Sequence, residues 1–198
     1  MAYALCRPSG HHAHYDRASG FCYINNAALA AQMLAQQGGK VAVLDVDAHH
    51  GDGTQNIFYA RGDVLTVSTH AATDDYFPFY TGYADETGAG DGLGCNLNVP
   101  LPHGTDTAGF LPYLDRAVDA IAQFAPSAVV LSIGFDTYRD DPISVLRFDF
   151  DAYRHVGERM RALGLPLVIV QEGGYMVEAL GPGLRALLQG LGQDQAKQ

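Results

Sequence analysis

Positive charge is scarce in this chain: 12 Lys and Arg residues stand against 22 Asp and Glu among 198, for a formal net charge of -10. Phosphate recognition needs clustered Lys and Arg, so nucleic acid is not expected as a partner, whereas a small cationic molecule is compatible with this balance. Long apolar runs are also absent. None approaches the roughly 20 residues that span a bilayer. The opening MAYALCRPSGHH lacks the apolar stretch of a secretion signal. No membrane partner is therefore expected. Cysteine is limited to Cys6, Cys22 and Cys95, an odd set without CxxC spacing. That pattern disfavours a disulfide framework or a thiolate zinc site and predicts free thiols in a reducing compartment, the cytoplasm by default. No GxSxG turn offers a serine nucleophile, and no GxGxxG or Walker-type loop offers a nucleotide site.

What is present reads as a packed globule. Apolar residues make up 47% and charged residues 17%, a composition that argues against disorder. The length suits one domain over 1–198. Near-continuous apolar runs at Lys40–Asp47, Asp63–His70, Ser127–Asp136 and Leu165–Tyr175 predict parallel strands buried on both faces. Helical spacing lies between or after them at Ile24–Gln37, Thr107–Phe124, Asp149–Leu163 and Gly181–Leu191, with Asp149 or Asp151 placed to cap the third. Strand–helix alternation predicts an α/β layered sheet with right-handed crossovers. The stretch Ala71–Asn98, rich in Gly, Asp, Thr and Tyr, shows no sustained period. A long irregular segment after a strand end is usually functional, and Phe77-Pro78-Phe79-Tyr80 offers aromatic surface for a pocket wall.

The polar residues fall where a core would not choose them. Asp45, Asp47, His49, His50 and Asp52 follow one apolar run, Asp136 another, Glu172 and Tyr175 a third. If these runs are neighbouring parallel strands, their carboxyl ends converge. Asp47, His49 and Asp136 then form a three-ligand set with a coordination position open, as in catalytic zinc sites; without thiolate the set also admits Fe(II), Co(II) or Mn(II). A D-x-H pair alone is as often a satisfied loop polar, but several unpaired buried carboxylates would be costly without a cation. His11-His12 is either a surface pair or a general base with an electrostatic partner. Asp45 and Asp52 are available to orient those imidazoles and raise their pKa toward neutrality, or else serve as a strand-end cap and a turn residue. Tyr175 follows Gly173-Gly174, which is either a plain turn or a way to bring a phenol toward the metal as an oxyanion donor.

RPSGHHAHYDRASGFCYINNAALAA, VAVLDVDAHHGDGTQNIFY, VLTVSTH, FPFYTGYADETGAG, SIGFDTYRDDPI and QEGGY, in this order, resemble the zinc-dependent histone deacetylase superfamily. They are most similar to its bacterial branch of acetylpolyamine amidohydrolases and related deacetylase-like proteins. The resemblance implies a three-layer arginase/deacetylase-like α/β fold around a mostly parallel sheet and hydrolysis of an N-acetyl amide on a lysine-like or polyamine amine. It makes Asp47, His49 and Asp136 the ligands of Zn2+ (Fe2+ or Co2+ as alternatives). His12 becomes the general base that later protonates the leaving amine, and His11 its electrostatic companion. Asp52 and Asp45 orient His12 and His11 respectively, and Tyr175 is the oxyanion donor. Phe21 and Phe77 wall the acyl tunnel with Gly20 and Ile143 nearby. A structural potassium ion falls on Asp45, Asp47, His49, Ser68 and Thr69, with a second around Phe58, Arg61 and Val64.

The resemblance implies roughly a hundred or more residues before the RPxGHHA segment, so the chain is expected to be either a natural short variant or a fragment that misses the first edge strands. Those strands are expected beside the Val41–Asp45 strand, leaving an apolar edge for another copy of the chain to cover; a homo-oligomer is the expected assembly. Two other functions stay open. One is a non-catalytic binder of metal or acyl ligand. The other is a binuclear manganese ureohydrolase, although Thr137 and Tyr138 after Asp136 leave a second metal unfurnished.

Overall fold

The computed structural model describes residues 1–192; residues 193–198, the end of the domain expected over 1–198, lie outside them. In chain order the strands are β1 (Ala2–Ala4), β2 (Val41–Val46), β3 (Val64–Ala71), β4 (Asn96–Leu101), β5 (Ala128–Ile133) and β6 (Leu167–Gln171). The helices are α1 (Asn26–Ala35), α2 (Asp52–Phe58), α3 (Thr107–Phe124), α4 (Phe150–Leu163) and α5 (Val177–Gly190). The strands form one sheet in the order β1-β6-β5-β2-β3-β4. Every pairing in it is parallel, so "mostly parallel" becomes wholly parallel.

Strand side chains alternate between two helical layers, as the period of two requires. Val41 and Val43 of β2, with Val64, Val130 and Val170, pack under Ala27, Ala28 and Ala31 of α1 and Phe58 of α2. Ala42 and Leu44, with Leu131 and Ile169, face Phe110, Leu114 and Ile121 of α3, Val156 of α4 and Leu187 of α5. Each fully buried aliphatic side chain contributes on the order of 2 kcal/mol, and both faces of β2 are filled in this way. Alanine suits α1 because the short side chain lets the helix lie close on the valine-rich face. Asp149 caps α4 by accepting from the Asp151 N–H at 3.0 Å.

β2 is an interior strand, hydrogen-bonded to β3 on one side and β5 on the other. That corrects the expectation of an open edge beside Val41–Asp45. The edges are β1 and β4. A run buried along its whole length, as β2 is, belongs in the middle of a sheet. The expected final helix, Gly181–Leu191, begins earlier, at Val177. Gly183 explains why glycine sits inside it: an added Cβ there would meet the Phe135 ring at 2.7 Å. The irregular stretch after β3 is also shorter than expected, since β3 runs to Ala71 and β4 starts at Asn96.

This topology positions the site. From β2 the chain proceeds outward to β3 and β4, then returns across to β5 and β6. The reversal places a crevice at the carboxyl ends of β2 and β5, where open parallel sheets hold their ligands.

Candidate functional site

Asp47 and His49 leave the end of β2, and Asp136 leaves the end of β5 next to it. One potential ligand atom from each lies within 4.8 Å of the others, and all three residues are buried. His49 Nδ1 is the meeting point, 3.1 Å from both Asp47 Oδ1 and Asp136 Oδ2. Backbone amides fix the carboxylates: the N–H of Gly173 donates to Asp47 Oδ2 at 2.9 Å and that of Ala48 to Asp136 Oδ1 at 3.0 Å. Gly134 and Gly173 are required by close approach, because a Cβ at either would collide with an Asp47 or Asp136 carboxylate. Burial and the Asp47 charge push Asp136 up to about 6. Burial works against a charged His49, yet hydrogen bonds to Asp136 and Asp47 carry it up to about 10. Two buried carboxylates converging on one ring nitrogen fit a divalent cation.

The tandem histidines stand beside this group, and each meets the carboxylate expected of it. His11 Nδ1 lies 2.9 Å from Asp45 Oδ2, and His12 Nδ1 lies 2.7 Å from Asp52 Oδ1. Their rings are 4.0 Å apart, centroid to centroid. The expected upward shift holds for His11, which it carries past neutrality, and fails for His12. Burial opposes charge on His11, but Asp47 and Asp45 drive its pKa well above the ordinary imidazole range. His12 falls to about 4, because burial and the charge on His11 outweigh Asp52. The result is a charged imidazole beside a neutral one. Pairs driven apart in this way mark acid–base division of labour.

A cavity of about 400 Å³ opens above His12 and His49, and Gly20, Phe21, Phe77, Ile143 and Tyr175 complete its lining. All four expected tunnel residues and the phenol thus meet at one opening. Gly20 has φ +50° and a Cβ there would overlap the His12 ring; glycine lets the wall pass directly over the imidazole. The Phe77 ring meets the His12 ring edge-on at 4.9 Å. Burial and the Asp136 charge raise Tyr175 above the usual phenol range, so its hydroxyl keeps its proton.

Of the expected potassium ligands, Asp45 and Ser68 sit opposite one another in the β2–β3 register, and the Thr69 hydroxyl donates to the Asp45 carbonyl at 3.2 Å. His70 Nε2 is 3.0 Å from the Gly82 carbonyl, which fixes its proton there. Its Nδ1 therefore accepts from the Ser68 hydroxyl at 2.8 Å. Ser68 is left with oxygen lone pairs beside Asp45, an acceptor pair suited to a cation. His50 Nδ1, in the same small pocket, has no hydrogen-bond partner among the described residues.

Residues 1–191 match the model of the histone deacetylase domain. The chain belongs to that family. An acetylpolyamine amidohydrolase of Burkholderia pseudomallei (strain 1710b) is 53% identical over 191 residues, covering 96% of this chain and 56% of that protein. Acetylpolyamine amidohydrolase 1 of Pseudomonas aeruginosa is 52% identical over 190 residues, 96% of this chain and 55% of that protein. A crystal structure of acetylpolyamine aminohydrolase from Burkholderia pseudomallei superposes with a TM-score of 0.94 over 96% of this chain and 56% of the other, at 53% identity. The HD domain of HDA15 superposes at 0.90 with 35% identity, over 97% of this chain and 57% of the other. The sheet and its helical layers are therefore of the deacetylase type, and the chain spans a little over half the length of these relatives.

Three further residues support the site, and the sequence assigned a role to none of them. Tyr76 stacks on the His49 ring, centroids 4.6 Å apart and 12° from parallel. Glu172 Oε2 accepts the N–H groups of Gly10 and His11 at 2.7 and 3.1 Å, tying the histidine segment to the end of β6. Asp141, buried in a run of polar residues that reads as a turn, binds the loop that carries Tyr175. Of the three, only Glu172 gave a signal, as a carboxylate directly after an apolar run.

Proposed function

We propose that this chain is a metal-dependent amidohydrolase that removes an acetyl group from a small cationic amine, a polyamine or a lysine-like side chain. One observation carries the reading: the Asp47–His49–Asp136 group reaches, through His49, the cavity whose walls present the His12 imidazole, the Tyr175 phenol and the rings of Phe21 and Phe77. The relatives named acetylpolyamine amidohydrolases, at 53% and 52% identity, support the substrate class.

Asp47, His49 and Asp136 would hold the metal, Zn2+ by preference. When bound, it supplies Lewis acidity, polarising an acyl carbonyl and acidifying water. The chain's own groups do the rest. His12 donates from Nδ1 to Asp52, which leaves Nε2 unprotonated to take a proton from water and return it to the departing amine. Tyr175 donates its O–H to the carbonyl oxygen as negative charge builds there. His11, held by Asp45 against the His12 ring, is the second imidazole of the pair and acts as its electrostatic companion. Phe21 and Phe77 exclude water along an extended aliphatic chain, so only a slender substrate reaches the floor.

Potassium is the further ion of this reading, placed at Asp45, Asp47, His49, Ser68 and Thr69. Copies of the chain associate through an edge strand of the sheet, β1 or β4, rather than through β2. The cytoplasm is the setting, which suits three free thiols. No helix of the described residues is long and apolar enough to cross a membrane.

The test is acetate release from N-acetylputrescine and from an acetyl-lysine peptide by the purified, metal-analysed chain. Turnover that needs metal and disappears in His12→Ala supports the reading. Ligand binding without turnover would make the chain a binder instead.

A further inference from the structure

Tyr175 sits at the end of a segment that has little reason to hold still. Gly173 and Gly174 precede it, Gly174 at φ +140°, and its side chain is more than a third exposed. An oxyanion donor misplaced by about 1 Å can lose a hundredfold in rate, so something must fix this loop. On its near side the Gly173 N–H is held by Asp47. On its far side, Asp141 Oδ2 accepts the N–H groups of Tyr175 and Met176, at 2.7 and 3.0 Å.

The same carboxylate serves the opposite wall. Asp141 Oδ1 accepts the Ile143 N–H at 3.2 Å. The Ile143 carbonyl in turn receives the Tyr76 hydroxyl at 2.7 Å, and Tyr76 lies flat on the His49 ring. A continuous path therefore runs from an imidazole on the cavity floor, through one wall, to the phenol on the other. Asp141 is its junction. It is only 5% exposed, and among the described residues it has no Lys or Arg partner. Its charge is met by three backbone N–H groups, an arrangement that a core would not retain for packing alone.

We infer that Asp141 is a positioning residue that sets the Tyr175 phenol and the Ile143 wall in one fixed relation to each other. This rests on the proposed amidohydrolase reading for its catalytic consequence, but not for its structural one. The competing account is that Asp141 merely caps the amino end of α5. That account predicts lost stability without a specific kinetic signature.

The two are separated by Asp141→Ala and Asp141→Asn, alone and combined with Tyr175→Phe, in the metal-loaded full chain. Turnover of N-acetylputrescine is read alongside amide exchange. Asp141→Ala lowers kcat by about ten- to a hundredfold, and on top of Tyr175→Phe it costs almost nothing further, because it acts through the phenol. Asp141→Asn keeps one carbonyl oxygen for Tyr175 and Met176 but turns an NH2 toward Ile143; it restores most of kcat while raising KM. In amide exchange, the Ala variant speeds Tyr175, Met176 and Ile143 together. An unchanged kcat in a less stable Ala variant overturns the inference, and so does a loss that adds fully to that of Tyr175→Phe. If Ala fails to fold, Asn decides: equal loss in kcat and kcat/KM without a KM change overturns it. Should the wild-type chain show no turnover, the function reading falls, and the exchange data alone decide on the junction: unchanged Tyr175 and Ile143 exchange in the folded variants sinks it.

Discussion

His12 and Asp52 form a pair at 2.7 Å, and the second Asp52 oxygen lies 2.8 Å from His14 Nε2. One carboxylate at the start of α2 thus touches two imidazoles. Burial works against its charge, but those two contacts hold it at about 2. A permanently ionised Asp52 accepts the His12 Nδ1 proton and leaves Nε2 free, which decides the tautomer.

Asp52→Asn is expected to lower kcat by about a hundredfold or more with little change in metal content or melting temperature. The amide can present NH2 to Nδ1 and so favour the wrong tautomer. Steady-state kinetics with metal analysis checks this. A variant with wild-type kcat would remove His12 from the role of base.

Metal binding is expected at one ion per chain, measured by elemental analysis after equilibration with Zn2+. His49→Ala should bring it near zero, since Nδ1 is the atom both carboxylates face. Adding Zn2+ should raise the melting temperature of the wild type by mass action, and leave that of His49→Ala where it was. Two ions per chain would instead favour the binuclear chemistry.

Tyr175→Phe removes one hydroxyl and little else. As an oxyanion donor it should be worth about 10²–10³ in kcat, with KM close to wild type because the ring still lines the cavity. Equal losses in kcat for substrates of different chain length would agree with action at the carbonyl. A change confined to KM would make Tyr175 a wall residue only.

The sequence exposed most of this site because its chemistry is concentrated in side chains that follow apolar runs. Asp47, His49 and Asp136 could be paired before their contact was seen, because β2 and β5 read as buried parallel strands. Elements that escaped are those whose local signal is weak. β1 is three residues long, and α2 is a seven-residue helix containing Gly53. β4 reads as loop because its Asn96 and Asn98 are polar, yet both are buried and donate to Gln55 Oε1. Asp141 and Tyr76 were illegible for another reason. Their importance lies in a hydrogen bond or stacking contact with a distant loop, and no periodicity encodes that. The open edge expected beside β2 failed because it was set by the resemblance and not by the residues of β2. Their burial on both faces suits an interior strand, and the crossover after β4 brings β5 to its other side.

Glu172 offers a test of buried charge that is independent of activity. Burial pushes its pKa up to about 7, with Asp45 adding to the effect while His11 and the donors Gly10 and Ser132 oppose it. In the unfolded chain the group titrates near 4.5. Between these values the folded state binds the extra proton, so stability is full below about pH 4.5, declines as pH rises through 7, and levels off above. In Glu172→Gln the amide oxygen can still accept from Gly10 and His11, while its NH2 faces the Ser132 hydroxyl, which can accept. The variant is therefore expected to melt higher than the wild type at pH 8 and alike below pH 5, in metal-free buffer. His11 and Asp45 titrate in both proteins, so the difference between the two melting curves isolates Glu172. Parallel curves across the whole range would mean that Glu172 is ionised in the folded chain at no cost, and that the amides of Gly10 and His11 fully compensate its burial.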